Sequence, residues 1–512
     1  MISKIGIVIV IAAIGKIMGV LRDRMQAVHF GTYGAEALAF SQASLLPRLF
    51  LDIMFASILS ASFIPIFNRY LENKGREAAL DLAASFVKLA LILTTAFTVV
   101  AIILAAPIYT MLLSGEALPP ETELLGIRLL RIMFPLLIIS GLAFTFTGIL
   151  QSLGKFYIPA AMSIASNGVI LLYYFLFIER FGVYGLALAF ILGWSTQVLI
   201  QIPFLVKIKF FGHLSKKNTY LREEFAGIGR LTLPAMVASW LGPINFWVNT
   251  RATINLYDGD HGFVALNMAY SLYTVITGLF VLSVSNILFP ALSKMAARKD
   301  WSEYTELLQN SLRGLLFFLI PMTFGVMAVS EPLVSFVFQG GLFQETSVEI
   351  TAIALFFFSP GIVGFGTQVI LIRACFSIQD GKAPLYTSLL AMAINLILSF
   401  ALAPHMEIGG PALASSIAIT VAALCLFLRL RIRISKNLWN LSMSIDTAKM
   451  LLLAIIMYFA VTYSLNFFDN RLWALVVPII GGLTLYILGT FALKIPESKI
   501  ILNFLTKLFR PA

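Results

Sequence analysis

Charge is scarce in this sequence. Only 12% of its 512 residues are Asp, Glu, Lys or Arg, whereas 59% are hydrophobic, and the mean hydropathy is +0.93. A soluble domain carries about 25% charged residues, so a water-soluble fold is excluded. Cysteine is equally sparse. Cys375 and Cys425 both lie in apolar runs, which excludes a disulfide framework and leaves them as small packing residues. Four histidines, His29, His213, His261 and His405, show no ligand spacing, so no metal centre is expected. The phosphate-cradling pattern GxxxxGK[ST] is missing, which argues against a built-in ATP motor. No small-residue cleavage site precedes the charges that follow the first apolar run, and Lys16 lies inside that run. It reads as a retained helix and not as a signal peptide. No cofactor is expected.

What the sequence has instead is long apolar runs. About fourteen stretches, from one near 3–23 to one near 471–493, are long enough to cross a hydrocarbon core as helices. The loops between them alternate in charge. One set holds Arg69, Lys74 and Arg76, then Lys155, Lys207 to Arg222, Lys294 to Lys299, Lys382, Arg429 to Lys436, and a tail from Lys494 to Arg510. The other set is short and acidic or neutral, with Glu116, Glu121, Asp258, Asp260, Glu331 and Glu407. Basic loops stay on the cytoplasmic side, so both termini are expected there. The net charge of +11 is thereby a matter of topology, and no nucleic-acid partner is expected.

Eight proline and glycine positions recur 225 residues later without a gap, among them Pro65/Pro290, Pro135/Pro360, Pro159/Pro384 and Gly185/Gly410. These residues set backbone geometry, so their kept spacing implies two copies of one helical layout. The expected fold is an all-α polytopic membrane protein with two parallel six-helix repeats and two extra C-terminal helices. The expected divisions are an N-terminal lobe over 1–207, a basic cytoplasmic linker over 208–230, a second lobe over 231–430, and helices 13 and 14 with a cytoplasmic tail over 431–512.

The repeat is also an internal ruler. Arg22, Asp23 and Arg24 fall opposite Trp247, Val248 and Asn249; Glu36 falls opposite His261, Arg48 opposite Tyr273 and Asp52 opposite Thr277. Charge has been added to the first copy alone. Arg48 and Asp52, one turn apart, either pair within the helix or line a hydrated cavity, since an ionised group at mid-membrane costs on the order of 3 kcal/mol. Arg22 and Arg24 either snorkel to headgroups or converge with Arg48 into an anion site, because guanidinium forks match phosphate oxygens. In the second case Lys16 extends the basic track, and Asp23 and Glu36 are the partners of the empty state. Asn245, Asn249 and Asn395 are weak cation candidates whose simpler role is hydrogen bonding between helices.

Several strings resemble the MurJ (MviN) family of the multidrug/oligosaccharidyl-lipid/polysaccharide exporter superfamily: GKIMGVLRD at Gly15 to Asp23, SFIPIF at Ser62 to Phe67, ILQSLGKFYIPA at Ile149 to Ala160, and AxxxxxDxxxP at Ala374 to Pro384. The resemblance covers roughly residues 5 to 430. It implies a non-enzymatic flippase in the bacterial cytoplasmic (inner) membrane. Such a protein carries the undecaprenyl-diphosphate-linked peptidoglycan precursor, lipid II, to the outer leaflet by alternating access. Cavity arginines hold the diphosphate, and the last two helices hold the lipid tail. Its partners are the lipid-linked glycan, membrane lipids and other cell-wall synthesis proteins, and its drive is the membrane potential or an ion gradient. Arg22 matches a family arginine, and Glu36 stands where an aspartate is usual. Lys16 replaces a second arginine, Ser271 occupies another arginine position, and Asn249 stands where members with a sodium site have an aspartate. A sibling flippase for another lipid-linked oligosaccharide, a MATE-type drug/cation antiporter and a membrane-bound glycosyl or acyl transferase are the alternatives. The sign of the intramembrane charge speaks against the antiporter, and the short acidic loops against the transferase.

Overall fold

The computed structural model describes residues 2–58, 63–112, 119–214, 244–245, 247–249, 251–253, 256, 261–468 and 470–499. Among them the chain is helical, with one isolated bridge between Gly340 and Phe343 and no strand. Among the described residues nine helical stretches are long and apolar enough to cross a membrane, and a tenth span arises if one pair bent by 46° counts as one. Three more helices have crossing length: α1 (Ile2–Phe30), α2 (Ala35–Ile58) and α12 (His261–Arg298), of 29, 24 and 38 residues. Side chains such as Ile92, Ile103, Phe175 and Phe459 are 65–70% exposed. An all-helical molecule tolerates such exposure where lipid surrounds it.

The chain divides into two compact units, Met1–Phe246 with Tyr257–Asp260, and Trp247–Leu256 with His261–Ala512. Most of the expected linker, 208–230, lies outside the described residues. The first unit continues from α2 through α3 (Ile64–Asn73), α4 (Gly75–Ile103), α5 (Ala105–Leu112), α6 (Pro120–Met133), α7 (Leu136–Ser152), α8 (Tyr157–Leu176) and α9 (Ile178–Leu199) to the short α10 (Ile202–Lys207) and α11 (Phe210–Leu214). The second follows α12 with α13 (Trp301–Ala328), α14 (Ser330–Phe338), α15 (Glu345–Phe358), α16 (Gly361–Ser377), α17 (Lys382–Met406) and α18 (Gly409–Arg433). It ends with α19 (Leu441–Leu465) and α20 (Arg471–Ala492).

Equivalent helices start 225 residues apart: α5 and α14, α6 and α15, α7 and α16, α8 and α17. The retained prolines explain one feature of that layout. Pro135 and Pro360 are the N-cap residues of α7 and α16, with φ −57° and −54°. A proline cannot donate to the preceding turn and crowds it, so each copy has a helix break at this point: Pro120–Ser152 still crosses as one span, whereas Glu345–Phe358 and Gly361–Ser377 meet at the 46° bend. A second match needs no shared residue. Gly182 (φ 52°, ψ −145°), at a kink in the first turns of α9, and Glu407 (φ 49°, ψ −131°), between α17 and α18, take the same positive-φ turn. The glycine adopts it without strain and the glutamate does not. Just after it, a Cβ on Gly185 would lie 2.2 Å from the Tyr173 hydroxyl, and one on Gly410 would lie 2.6 Å from the Leu402 carbonyl carbon. Both hairpins are too tight for a side chain, which is why both copies keep glycine here.

Helices α19 and α20 close on α13. Met450, Ala454, Met457, Val461 and Tyr486 pack on Leu316, Phe317 and Ile320, and the Tyr486 hydroxyl donates to the Phe317 carbonyl at 3.1 Å. At one end Arg313 donates to Asp446 (2.5 Å) and pairs with Glu497 (2.8 Å), and both carboxylates are less than 10% exposed. Removing the cation from a buried pair leaves uncompensated charge, at a cost of about 3 kcal/mol or more. Arg313→Gln should therefore lower the detergent melting temperature clearly below that of wild type, and an unchanged melting curve would contradict this role.

Candidate functional site

Arg22 lies in the C-terminal third of α1, where α1 meets α8 and α9. Close approach of α1 to α8 depends on Gly15, whose absent Cβ would sit 3.0 Å from that of Ser163. Ser163 Oγ donates to the Gly15 carbonyl at 3.3 Å. One turn along α8, Asn167 donates from Nδ2 to the same carbonyl (3.3 Å) and to Ser163 Oγ (3.1 Å). Its Oδ1 then faces Arg22 and accepts from Nη1 at 3.0 Å. The fork formed by Nε and Nη2 is occupied by Asp23 Oδ1, at 3.1 and 2.7 Å. Phe190 of α9 places its ring 5.7 Å from the guanidinium carbon, within range of a cation–π contact. The Arg22 and Asp23 side chains are only 14% and 13% exposed. The guanidinium is thus held on three sides at a junction of low exposure, with its fork closed by the neighbouring carboxylate.

The other expected residues are distributed unevenly around this centre. Lys16 is half-buried on α1, as is Arg24. Glu36, at the start of α2, is exposed and makes no ion pair among the described residues. Arg48 and Asp52 fall in α2, but their side chains lie outside the described residues. Arg373 donates from Nε to Ser285 Oγ at 3.1 Å and lies over the Phe289 ring, within its own unit.

The second unit repeats the junction with neutral groups. Asn249 donates to Ser415 Oγ at 2.6 Å and accepts from Asn395 (2.8 Å) and Ser399 (3.0 Å). Asn395 Oδ1 accepts in turn from Ser415 (3.2 Å) and Ser399 (3.4 Å). These amide oxygens are engaged by protein donors, so Asn249, in the helical turn 247–249, is hydrogen-bonded to α17 and α18. Asn245 belongs to the first unit and makes none of these hydrogen bonds. Among the described residues no group of three or more His, Cys, Asp or Glu could hold a metal ion. Asn249, Ser399 and Ser415 stand at the repeat positions of Arg24, Tyr174 and Phe190. One junction therefore carries an ion pair on an aromatic ring, and its copy carries a neutral polar network. Asn167, Phe190, Ser399 and Ser415 were not singled out from the sequence. The ruler that exposed the charges would have found them, because Asn167 falls opposite Met392 and Phe190 opposite Ser415.

The family model for the lipid II flippase MurJ matches residues 27–481. The chain belongs to that family. A relative from Buchnera aphidicola subsp. Schizaphis graminum, described as a probable lipid II flippase MurJ, is 28% identical over 519 residues and is covered over 98% of both chains. The lipid II flippase MurJ of Burkholderia cenocepacia is 26% identical over 426 residues, 82% of each chain. Among solved structures, a lipid II flippase MurJ in an inward closed conformation superposes with a TM-score of 0.79 at 24% identity, over 94% of this chain and 97% of that one. An inward-facing multidrug resistance MATE transporter of the MOP superfamily gives a TM-score of 0.71 at 16% identity, over 83% and 95%. The MurJ chain described here thus shares its helical fold with drug transporters. It is a multi-pass membrane protein of a transporter family.

Proposed function

We propose that this MurJ member moves lipid II from the cytoplasmic to the outer leaflet of the bacterial inner membrane, with both termini in the cytoplasm and no covalent step. The observation that carries the reading is the Arg22 fork, closed by Asp23 in a junction of low exposure. A diphosphate offers the same paired oxygens as a carboxylate with more charge, so it can take Asp23's place on Nε and Nη2. Asn167 and Phe190 keep the guanidinium in position during the exchange. Lys16, Arg24 and Arg48 are the further cations proposed along the headgroup path, with Glu36 and Asp52 as counter-charges. The lipid tail stays in hydrocarbon, so only the polar head needs a hydrated route across roughly 30 Å. A membrane potential, negative inside, drives an anionic head outward at about 2.3 kcal/mol per charge per 100 mV.

A competition assay tests the substrate. In proteoliposomes carrying fluorescent lipid II, unlabelled lipid II should suppress the fluorescent signal at lower concentration than a teichoic acid or O-antigen lipid precursor. Stronger suppression by either of those precursors would reassign the protein to a sibling flippase.

A further inference from the structure

The basic end of α18 differs from its copy in the first unit in a way that topology alone does not require. Asp380, in the loop between α16 and α17, has a side chain only 5% exposed. Its Oδ1 caps α17 by accepting from the Ala383 amide at 3.3 Å. Its Oδ2 accepts from Arg433 Nη1 at 2.7 Å and from Arg429 Nε at 3.4 Å. The two arginines are one turn apart on α18 and remain 48% and 53% exposed. One carboxylate thus gathers two guanidiniums and leaves a net positive charge. The remaining edges, Nε and Nη2 of Arg433 and both terminal nitrogens of Arg429, have no other partner among the described residues. On the same helix Leu424, Leu428 and Ile432 are 55%, 45% and 83% exposed, so apolar surface leads up to the paired cations.

The internal ruler places Lys155, Phe204 and Ile208 at the positions of Asp380, Arg429 and Arg433. Retention of basic loops on one side calls for cations, which both copies have. It does not call for a buried carboxylate that draws two arginines together at a desolvation cost. We propose that Arg429 and Arg433, arranged by Asp380, form a binding site for the phosphate of an anionic phospholipid of the inner leaflet, with the acyl chains lying along Leu424, Leu428 and Ile432. Two adjacent forks match the non-bridging oxygens of a phosphodiester, and the acyl chains gain the exposed apolar face of α18.

The test compares phosphatidylglycerol with phosphatidylcholine on the full chain in nanodiscs, which present both faces and so make the result independent of orientation. Lipid retention is read by native mass spectrometry. Wild type should keep phosphatidylglycerol in preference to phosphatidylcholine, and the double variant Arg429→Gln/Arg433→Gln should bind it about thirty-fold more weakly. Lys294→Gln/Arg298→Gln removes equal charge from the end of α12 in the same unit and should leave retention unchanged. Equal retention of the two lipids by wild type, or an equal loss in the α12 control, would overturn the proposal. So would displacement of phosphatidylglycerol by a short-chain isoprenyl diphosphate at a lower concentration than by phosphatidylglycerol itself, which would assign the site to the transported lipid. Should the glutamine double fail to fold, Arg429→Lys/Arg433→Lys keeps the charge and removes the forks. An approximately tenfold loss is then expected, and unchanged affinity overturns the site.

Discussion

Arg22→Ala should reduce lipid II flipping by about a hundredfold. The estimate follows from the two charge-assisted hydrogen bonds that the fork makes to an anion, each contributing about 1.5 kcal/mol or more. Alanine also strands Asp23, which is only 13% exposed, so a loss of activity alone would not separate binding from folding. Arg22→Lys separates them. Lysine keeps a positive charge beside Asp23 but presents a point charge in place of a planar fork. The lysine variant should melt within a few degrees of wild type and still flip roughly tenfold more slowly. If Arg22→Lys flips at the wild-type rate, paired recognition is not what Arg22 supplies.

Asp23→Asn should strengthen binding of the diphosphate while slowing turnover. In the present state the Asp23 carboxylate holds Nε and Nη2 of Arg22, so an incoming phosphate must displace a charged competitor. An asparagine oxygen competes as a neutral acceptor, and a charge-assisted bond exceeds a neutral one by about 1 kcal/mol. Affinity for a soluble isoprenyl diphosphate should rise by roughly five- to tenfold. The outward step should slow for the same reason, because the returning carboxylate no longer helps to eject the headgroup. Unchanged affinity in Asp23→Asn, measured by calorimetry on detergent-purified protein, would show that Asp23 does not compete for the fork.

The layout of helices was legible because its determinants are local. Apolar runs mark the spans, and prolines and glycines mark where the backbone must turn, so Pro135 and Pro360 could be matched before either was seen as an N-cap. The breaks within spans were not legible in the hydropathy, which averages across a proline. Charge at Arg22 and Asp23 was equally visible, since an ionised residue in an apolar run has few uses. What the sequence concealed was the neutral part of the site. Asn167 gains its meaning only when Gly15 lets α8 approach α1 and its carboxamide reaches both a backbone carbonyl and the guanidinium. Phe190 reads as one aromatic among 43 phenylalanines until α9 brings it beside Arg22. Of the second network, Asn249 and Asn395 were legible as hydrogen-bonding amides, whereas their partners Ser399 and Ser415 carry no periodic signal and emerge only from the packing of the helices.

The most direct test of the account is the initial rate at which purified wild-type protein, reconstituted in proteoliposomes, transfers fluorescent lipid II between leaflets under an imposed inside-negative potential. The account predicts outward transfer well above that of protein-free vesicles, faster as the potential is raised, and lost in Arg22→Ala. Transfer no faster than in protein-free vesicles, or undiminished in Arg22→Ala, would contradict it.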